Sequence, residues 1–143
     1  MRMNMREMQM TNDLRVLIEQ RLNAIKTEYG IGYIGYRRAS DQKPYPHIIW
    51  NITTTQPMDM GREDYMLDFH VWGREESAVF NIMDAVRNLF LFRNDPTDEI
   101  LPTFYEMSGG TVEDTDKTIV HGVLRVQCQV YEKGVTNNGI LKY

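Results

Sequence analysis

Apolar and polar residues alternate most sharply between Tyr65 and Trp72. Tyr65, Leu67, Phe69 and Val71 share one face, and Asp68, His70 and Trp72 share the other. A period of two predicts a β-strand with one buried side. At Gly73 the period changes, and Ala78, Ile82, Ala85, Val86 and Leu89 recur at helical spacing. Glu75 and Glu76 fall in the first turn of that helix, where carboxylates suit the positive end of its dipole, and Arg87 and Arg93 lie toward its other end. A strand that feeds a helix this directly folds back, so the helix covers the sheet. The rest of the chain is read as what this Tyr65–Phe92 unit packs against.

The same patterning predicts the other elements. Leu14, Leu17, Ile18, Leu22 and Ile25 form one stripe of a helix over Thr11 to Thr27, with Thr11, Asn12 and Asp13 available as N-caps and Gly30 as the stop. Gly30 to Arg38 is β-prone but interrupted by glycines, which predicts a weak or edge strand. After a polar loop over Ala39 to Pro46, His47 to Thr54 is rich in β-branched residues and predicts a second strand. The loop Gln56 to Glu63 then joins it to the Tyr65 strand as an antiparallel pair. Asn94-Asp95-Pro96 ends the second helix. Pro102 to Met107 predicts a short strand, with turns at Ser108-Gly109-Gly110 and Glu113-Asp114-Thr115-Asp116. From Thr118 to Tyr131 the alternation returns: Val120, Leu124, Val126, Cys128 and Val130 against His121, Arg125, Gln127 and Gln129. The sum is an α+β fold of order α-β-β-β-α-β-β, with two helices on one face of a mostly antiparallel sheet. Residues 11–132 form one domain, residues 1–10 a Met-rich flexible arm, and residues 133–143 a polar tail.

Composition narrows the function. The formal net charge is −4, and only Arg37 and Arg38 are adjacent bases beside the aromatics Tyr33, Tyr36, Trp50 and Trp72. A surface that grips nucleic acid needs a basic groove, so these aromatics read as core or interface packing. The single cysteine, Cys128, forms no internal disulfide and falls on an apolar strand face, as a buried thiol does. No apolar run approaches the ~20 residues that span a bilayer, and the first ten residues lack a signal-peptide core.

Candidate chemistry is sparse. None of the three histidines, His47, His70 and His121, has a second ligand at metal-motif spacing. Asp68 and His70 share a strand face, and His121 belongs to a strand that can neighbour it. An acid–base or metal site assembled there, completed at a subunit boundary, is one reading. A polar face that meets solvent or a partner is the other. No nucleophile elbow, phosphate loop, dinucleotide fingerprint or paired-cysteine motif occurs. The acidic turn lacks the ligand ladder of a calcium loop. Nothing calls for a cofactor.

The order of elements, with Tyr45-Pro46-His47-Ile48-Ile49, then Phe69-His70-Val71-Trp72 running into Ile82, Ala85, Val86, Arg87 and Leu89, and finally His121-Gly122-Val123-Leu124-Arg125, resembles the small tail-terminator and tail-completion (head–tail joining) proteins of long-tailed bacteriophages. The resemblance covers roughly residues 11 to 132 and carries no catalytic signature. It implies a structural virion protein with no enzymatic role and no membrane. Such a subunit forms a ring, commonly a hexamer, at the neck of the virion. The ring caps the tail tube and joins it to the head-side connector, and DNA passes through without specific binding. Assembly takes place in the host cytoplasm. On this reading Tyr33, Tyr36, Asp68, His70, Trp72 and Arg74 are expected at the subunit interface. The acidic loop residues Glu113, Asp114 and Asp116 are expected to face the channel or the tube. The alternatives are a non-viral oligomeric adaptor and a small enzyme built on Asp68, His70 and His121.

Overall fold

The computed structural model describes residues 5–37, 43–57, 61–90, 97, 100–132, 136–137 and 140–141. Helix α1 spans Met5–Ile25, and strands β1 (Tyr33–Tyr36), β2 (His47–Pro57) and β3 (Arg62–Gly73) follow. Helix α2 spans Glu76–Phe90 and leads to β4 (Ile100–Val112), β5 (Val120–Glu132), β6 (Thr136–Asn137) and β7 (Ile140–Leu141). The expected order therefore holds from α1 through β5. Five strands form one sheet in the order β1-β2-β3-β5-β4, and β6 and β7 pair separately.

The sheet is mixed, which corrects the mostly antiparallel sheet expected. β2–β3, β3–β5 and β5–β4 are antiparallel, but β1 runs parallel to β2, with Tyr33 opposite His47 and Tyr36 opposite Trp50. A parallel pair needs a connection that returns to the starting end. The Gly32 amide donates to the Pro46 carbonyl at 2.7 Å and holds the two strand starts together. A Cβ on Gly32 would lie 2.7 Å from the Pro44 ring, so only glycine fits that approach.

Other boundaries moved for local reasons. α1 begins at Met5 rather than Thr11, because Met10 extends the Leu14–Ile18 stripe one turn back and is itself buried. Thr11 is thus inside the helix, where its hydroxyl meets the Tyr65 hydroxyl at 3.0 Å. At the other end Gly30 has φ of 62°, and the Ile31 amide donates to the Lys26 carbonyl while the Gly30 amide donates to Thr27. This is a Schellman stop at the expected glycine. β2 and β3 reach further than expected, to Pro57 and from Arg62. β4 continues to Val112 through Ser108-Gly109-Gly110, which the sequence reading placed in a turn. The full length of β5 offers a partner ladder there, and pairing overrides the low strand preference of glycine. The break at Asn94-Asp95-Pro96, residues 1–4, Arg38, and most of the Gly134 to Tyr143 tail lie outside the described residues.

The core lies between one sheet face and both helices. Trp50 stacks with Phe69 at 6.1 Å, Phe69 with Phe90 at 5.7 Å, and Phe90 meets Phe104 at 4.9 Å. This aromatic column ties β2, β3, α2 and β4 together. Leu14, Ile18 and Leu22 of α1 join it with Ile82 and Val86 of α2, and with Leu67, Val126 and Val130 of the sheet. Cys128 is fully buried in it, and desolvation pushes its thiol well above the ordinary value, so it is an unreactive core residue.

α2 lies so close to β5 that Gly122 has no room for a side chain. A Cβ there would meet the Met83 sulfur and lie 3.0 Å from Val79. Gly122→Val is therefore expected to lower stability by about 1–3 kcal/mol through overpacking. Thermal unfolding followed by circular dichroism checks it, and an unchanged midpoint would show that α2 sits looser than this.

Candidate functional site on the open sheet face

The helices cover one face of the sheet and leave the other to polar residues. Strand register decides which residues meet there. His47 on β2 pairs with Trp72 on β3, which pairs with His121 on β5, which pairs with Val112 on β4. The next row on this face is Ile49, His70 and Val123, and the next is Asn51, Asp68 and Arg125. Period-two alternation thus places Asp68, His70 and Trp72 on one face, as expected.

Trp72 is the hub. Its ring stacks with His121 at 4.2 Å, His47 at 5.3 Å and His70 at 5.5 Å, so every histidine of the chain touches one tryptophan. Tyr45 continues the row, 4.9 Å from His47, and the Arg74 guanidinium lies 4.8 Å above the Tyr45 ring. His70 Nδ1 and His121 Nε2 are 2.8 Å apart and share one hydrogen bond. His47 is fully buried, and neither of its ring nitrogens has a hydrogen-bond partner among the described residues. A cavity of about 400 Å³ opens beside it, lined by Arg37, Lys43, Tyr45, Ile49, Trp72, Asp114 and Ile119 as well.

Desolvation keeps all three imidazoles neutral. It pushes His47 down to about 4, helped by Lys43 and opposed by the Pro44 carbonyl. It also lowers His70, with Asp68 opposing and Arg125 assisting. For His121 desolvation again comes first and His70 adds to it, while Asp114 opposes. The Asp68 carboxylate is buried and held by Arg125, whose Nε donates to Oδ1 at 2.8 Å and whose Nη2 donates to Oδ2 at 3.3 Å.

These partnerships weigh against acid–base chemistry at Asp68, His70 and His121. The carboxylate is committed to Arg125 and the two imidazoles to each other. No group of three metal-ligating side chains occurs among the described residues. The face is organised as a stacked, rigid surface rather than a pocket around a reacting atom.

The remaining expected residues fall at its margins. Tyr33 and Tyr36 both lie on edge strand β1 but on opposite faces. Tyr33 is in the His47 row, whereas Tyr36 meets Trp50 edge-on at 4.7 Å, with the Arg15 guanidinium 4.4 Å above its ring. Arg74 lies past the end of β3, where its Nη1 donates to the Thr118 hydroxyl. The acidic loop between β4 and β5 is built from its own side chains. Asp114 Oδ1 accepts from the Asp116 amide, and Asp116 Oδ1 accepts from the Thr118 amide and hydroxyl at 2.9 and 2.7 Å. The Thr118 amide is the main reason that Asp116 is held below the ordinary carboxylate range. Glu113 pairs with Lys117, a cation just beyond the acidic run. His47, Tyr45 and Arg125 had no signal as site residues in the sequence, because only the register between distant strands brings them to Trp72 and Asp68.

No protein-family model and no curated protein matches the chain. Solved structures do. A chain from the virion of a native gene transfer agent particle superposes with a TM-score of 0.59 at 9% identity, covering 80% of this chain and 91% of that one. The gp17 protein of bacteriophage SPP1 superposes with a TM-score of 0.56 at 17% identity, covering 88% of this chain and 93% of that one. The likeness is one of fold, over most of both chains. The resemblance to phage tail proteins seen in the sequence therefore has structural neighbours from a phage and a phage-like particle.

The neutral histidines make stability depend on pH in a defined direction. Their folded values lie below the ordinary 6.5, so the unfolded chain binds more protons as pH falls. Stability is full above about pH 6.5 and declines below it, and the His47 contribution levels off near 4. Each histidine adds a slope of up to about 1.4 kcal/mol per pH unit in its window. Urea unfolding at pH 7.5 and pH 5 is expected to show the lower midpoint at pH 5, with a shallower dependence in His47→Phe. Equal pH dependence in the variant would contradict the assignment to His47.

Proposed function

We propose that this chain is a structural subunit of a phage or phage-like particle, a tail-terminator or tail-completion protein of the neck. The observation that carries the proposal is the fold shared with two such particle proteins over at least four-fifths of the chain. A non-enzymatic role agrees with an open face on which His70 is hydrogen-bonded to His121 and Asp68 to Arg125.

In this reading six copies form a ring that caps the tail tube and joins it to the head-side connector, and the ring belongs to the finished virion. Tyr33, Tyr36, Asp68, His70, Trp72 and Arg74 supply lateral contacts. The stacked row around Trp72 offers the kind of rigid aromatic surface that anchors interfaces. Glu113, Asp114 and Asp116 face the channel or the tube, where negative charge keeps DNA from sticking as it passes. The net charge of −4 agrees with a conduit rather than a DNA-binding module.

Light scattering coupled to size exclusion tests the assembly over a wide concentration range. A mass that rises with concentration toward six times the 16.8 kDa subunit, with negative-stain images showing a central hole, is expected. A monomer at every concentration would contradict a subunit that assembles into a ring by itself.

A further inference from the structure

β1 and β4 are the two ends of the five-stranded sheet, and neither has a second strand partner among the described residues. They are unlike in a way that bears on assembly. The first half of β4 is tied down, with Ile100, Pro102 and Phe104 buried. Past the register shift between Glu106 and Ser108 the strand stays paired with β5 on its inner edge, and the side chains of Tyr105, Glu106 and Ser108 to Val112 are all exposed. Tyr105 and Val112 rank among the exposed large apolar residues of the subunit, at 48% and 50%. A long exposed edge without proline or lysine is a template for another strand, and proteins that stay monomeric protect such edges. From Tyr105 to Val112 neither residue type occurs.

β1 provides the matching end. Tyr33 and Tyr36 are half-buried there, the exposed Arg37 follows, and Arg15 and Arg37 both lie over the Tyr36 ring. Tyrosine and arginine are the side chains that interfaces favour. The free half of β4 is flanked by Glu106, which is ion-paired with Arg87, and by Glu113, which is ion-paired with Lys117, while Arg37 follows β1.

Strand direction adds an independent constraint. β1 is parallel to β2, and three antiparallel steps follow across the sheet, so β4 runs opposite to β1. A second copy placed beside the first in the same orientation therefore sets its β1 antiparallel to the first copy's β4. The rows of the sheet run from Tyr33 to Val112 and from Tyr36 to Gly109. With no step along the strands, these same pairs meet across the boundary.

We propose that the free half of β4, Tyr105 to Val112, continues the sheet of a second copy by pairing with its β1 edge, head to tail. Such a contact uses different surfaces on the two partners, so it repeats around a ring until it closes. The inference rests on the ring reading above and names the surfaces that make the ring.

The test uses two blocked variants of the full chain. On β4, Gly110→Pro and Thr111→Pro are both made. Adjacent residues alternate between facing β5 and facing outward, so the variant that keeps the wild-type unfolding midpoint blocks only the outer edge. On β1, Tyr33→Glu with Arg37→Glu places acids opposite an acid-flanked strand. Each blocked variant alone is expected to run as a monomer in light scattering. An equimolar mixture is expected to give a dimer and nothing larger, since one intact β4 then meets one intact β1. Rings that persist in both folded variants would overturn the edge pairing while leaving the ring reading intact. Dimers of the β1 variant alone would overturn the head-to-tail arrangement in favour of β4 with β4. A wild-type monomer at all concentrations would remove the self-assembling ring, and the edge pairing with it.

Discussion

The subunit depends on one packing arrangement, the burial of Phe69 between Trp50 on its own sheet and Phe90 on α2. Phe69 sits in the central strand β3, so that contact fixes which sheet face the helices cover. Every other placement follows by parity. Once odd residues of β3 point at α2, Asp68, His70 and Trp72 point away from it, and strand register then brings His47, His121 and Arg125 to meet them. A slip of one residue along β3 would exchange the two sets, placing a carboxylate in the core and Phe69 in solvent. The core and the polar face are thus two consequences of one alternation.

That parity explains what was legible in the sequence. The strand and helix between Tyr65 and Phe90, the Leu14–Ile25 stripe, the Gly30 stop and the buried face of β5 are written in local periodicity, and each lies where expected. The partners of the polar face are not local. Asp68 and Arg125 are 57 positions apart and His70 and His121 are 51 apart, so nothing near either residue signals the other. The same holds for the parallel β1–β2 pair. Its direction is set by where the connecting segment returns, not by the strand residues themselves. The glycines at 109 and 110 misled in the opposite sense. Their local preference is for a turn, and the β5 ladder holds them in a strand.

The open face is a stacked row around Trp72 beside the Asp68–Arg125 pair. Its ionisable groups are paired or stacked, and burial keeps the histidines neutral. Such a face holds its shape, which suits a component that must meet neighbours in fixed geometry. The two sheet edges are not interchangeable, because β1 runs parallel to β2 and β4 runs opposite to it. The fold is shared with proteins of a gene transfer agent virion and of bacteriophage SPP1.

The proposed role makes this chain one member of a closed ring in a phage-type particle. Cryo-electron microscopy of the assembled protein, at a resolution that traces strands, tests it most directly. A cyclic oligomer is expected, with an open centre and the loop bearing Glu113, Asp114 and Asp116 on the channel wall or the end that meets the tube. A closed two-fold dimer, or a ring with that loop on its outer wall, would contradict it.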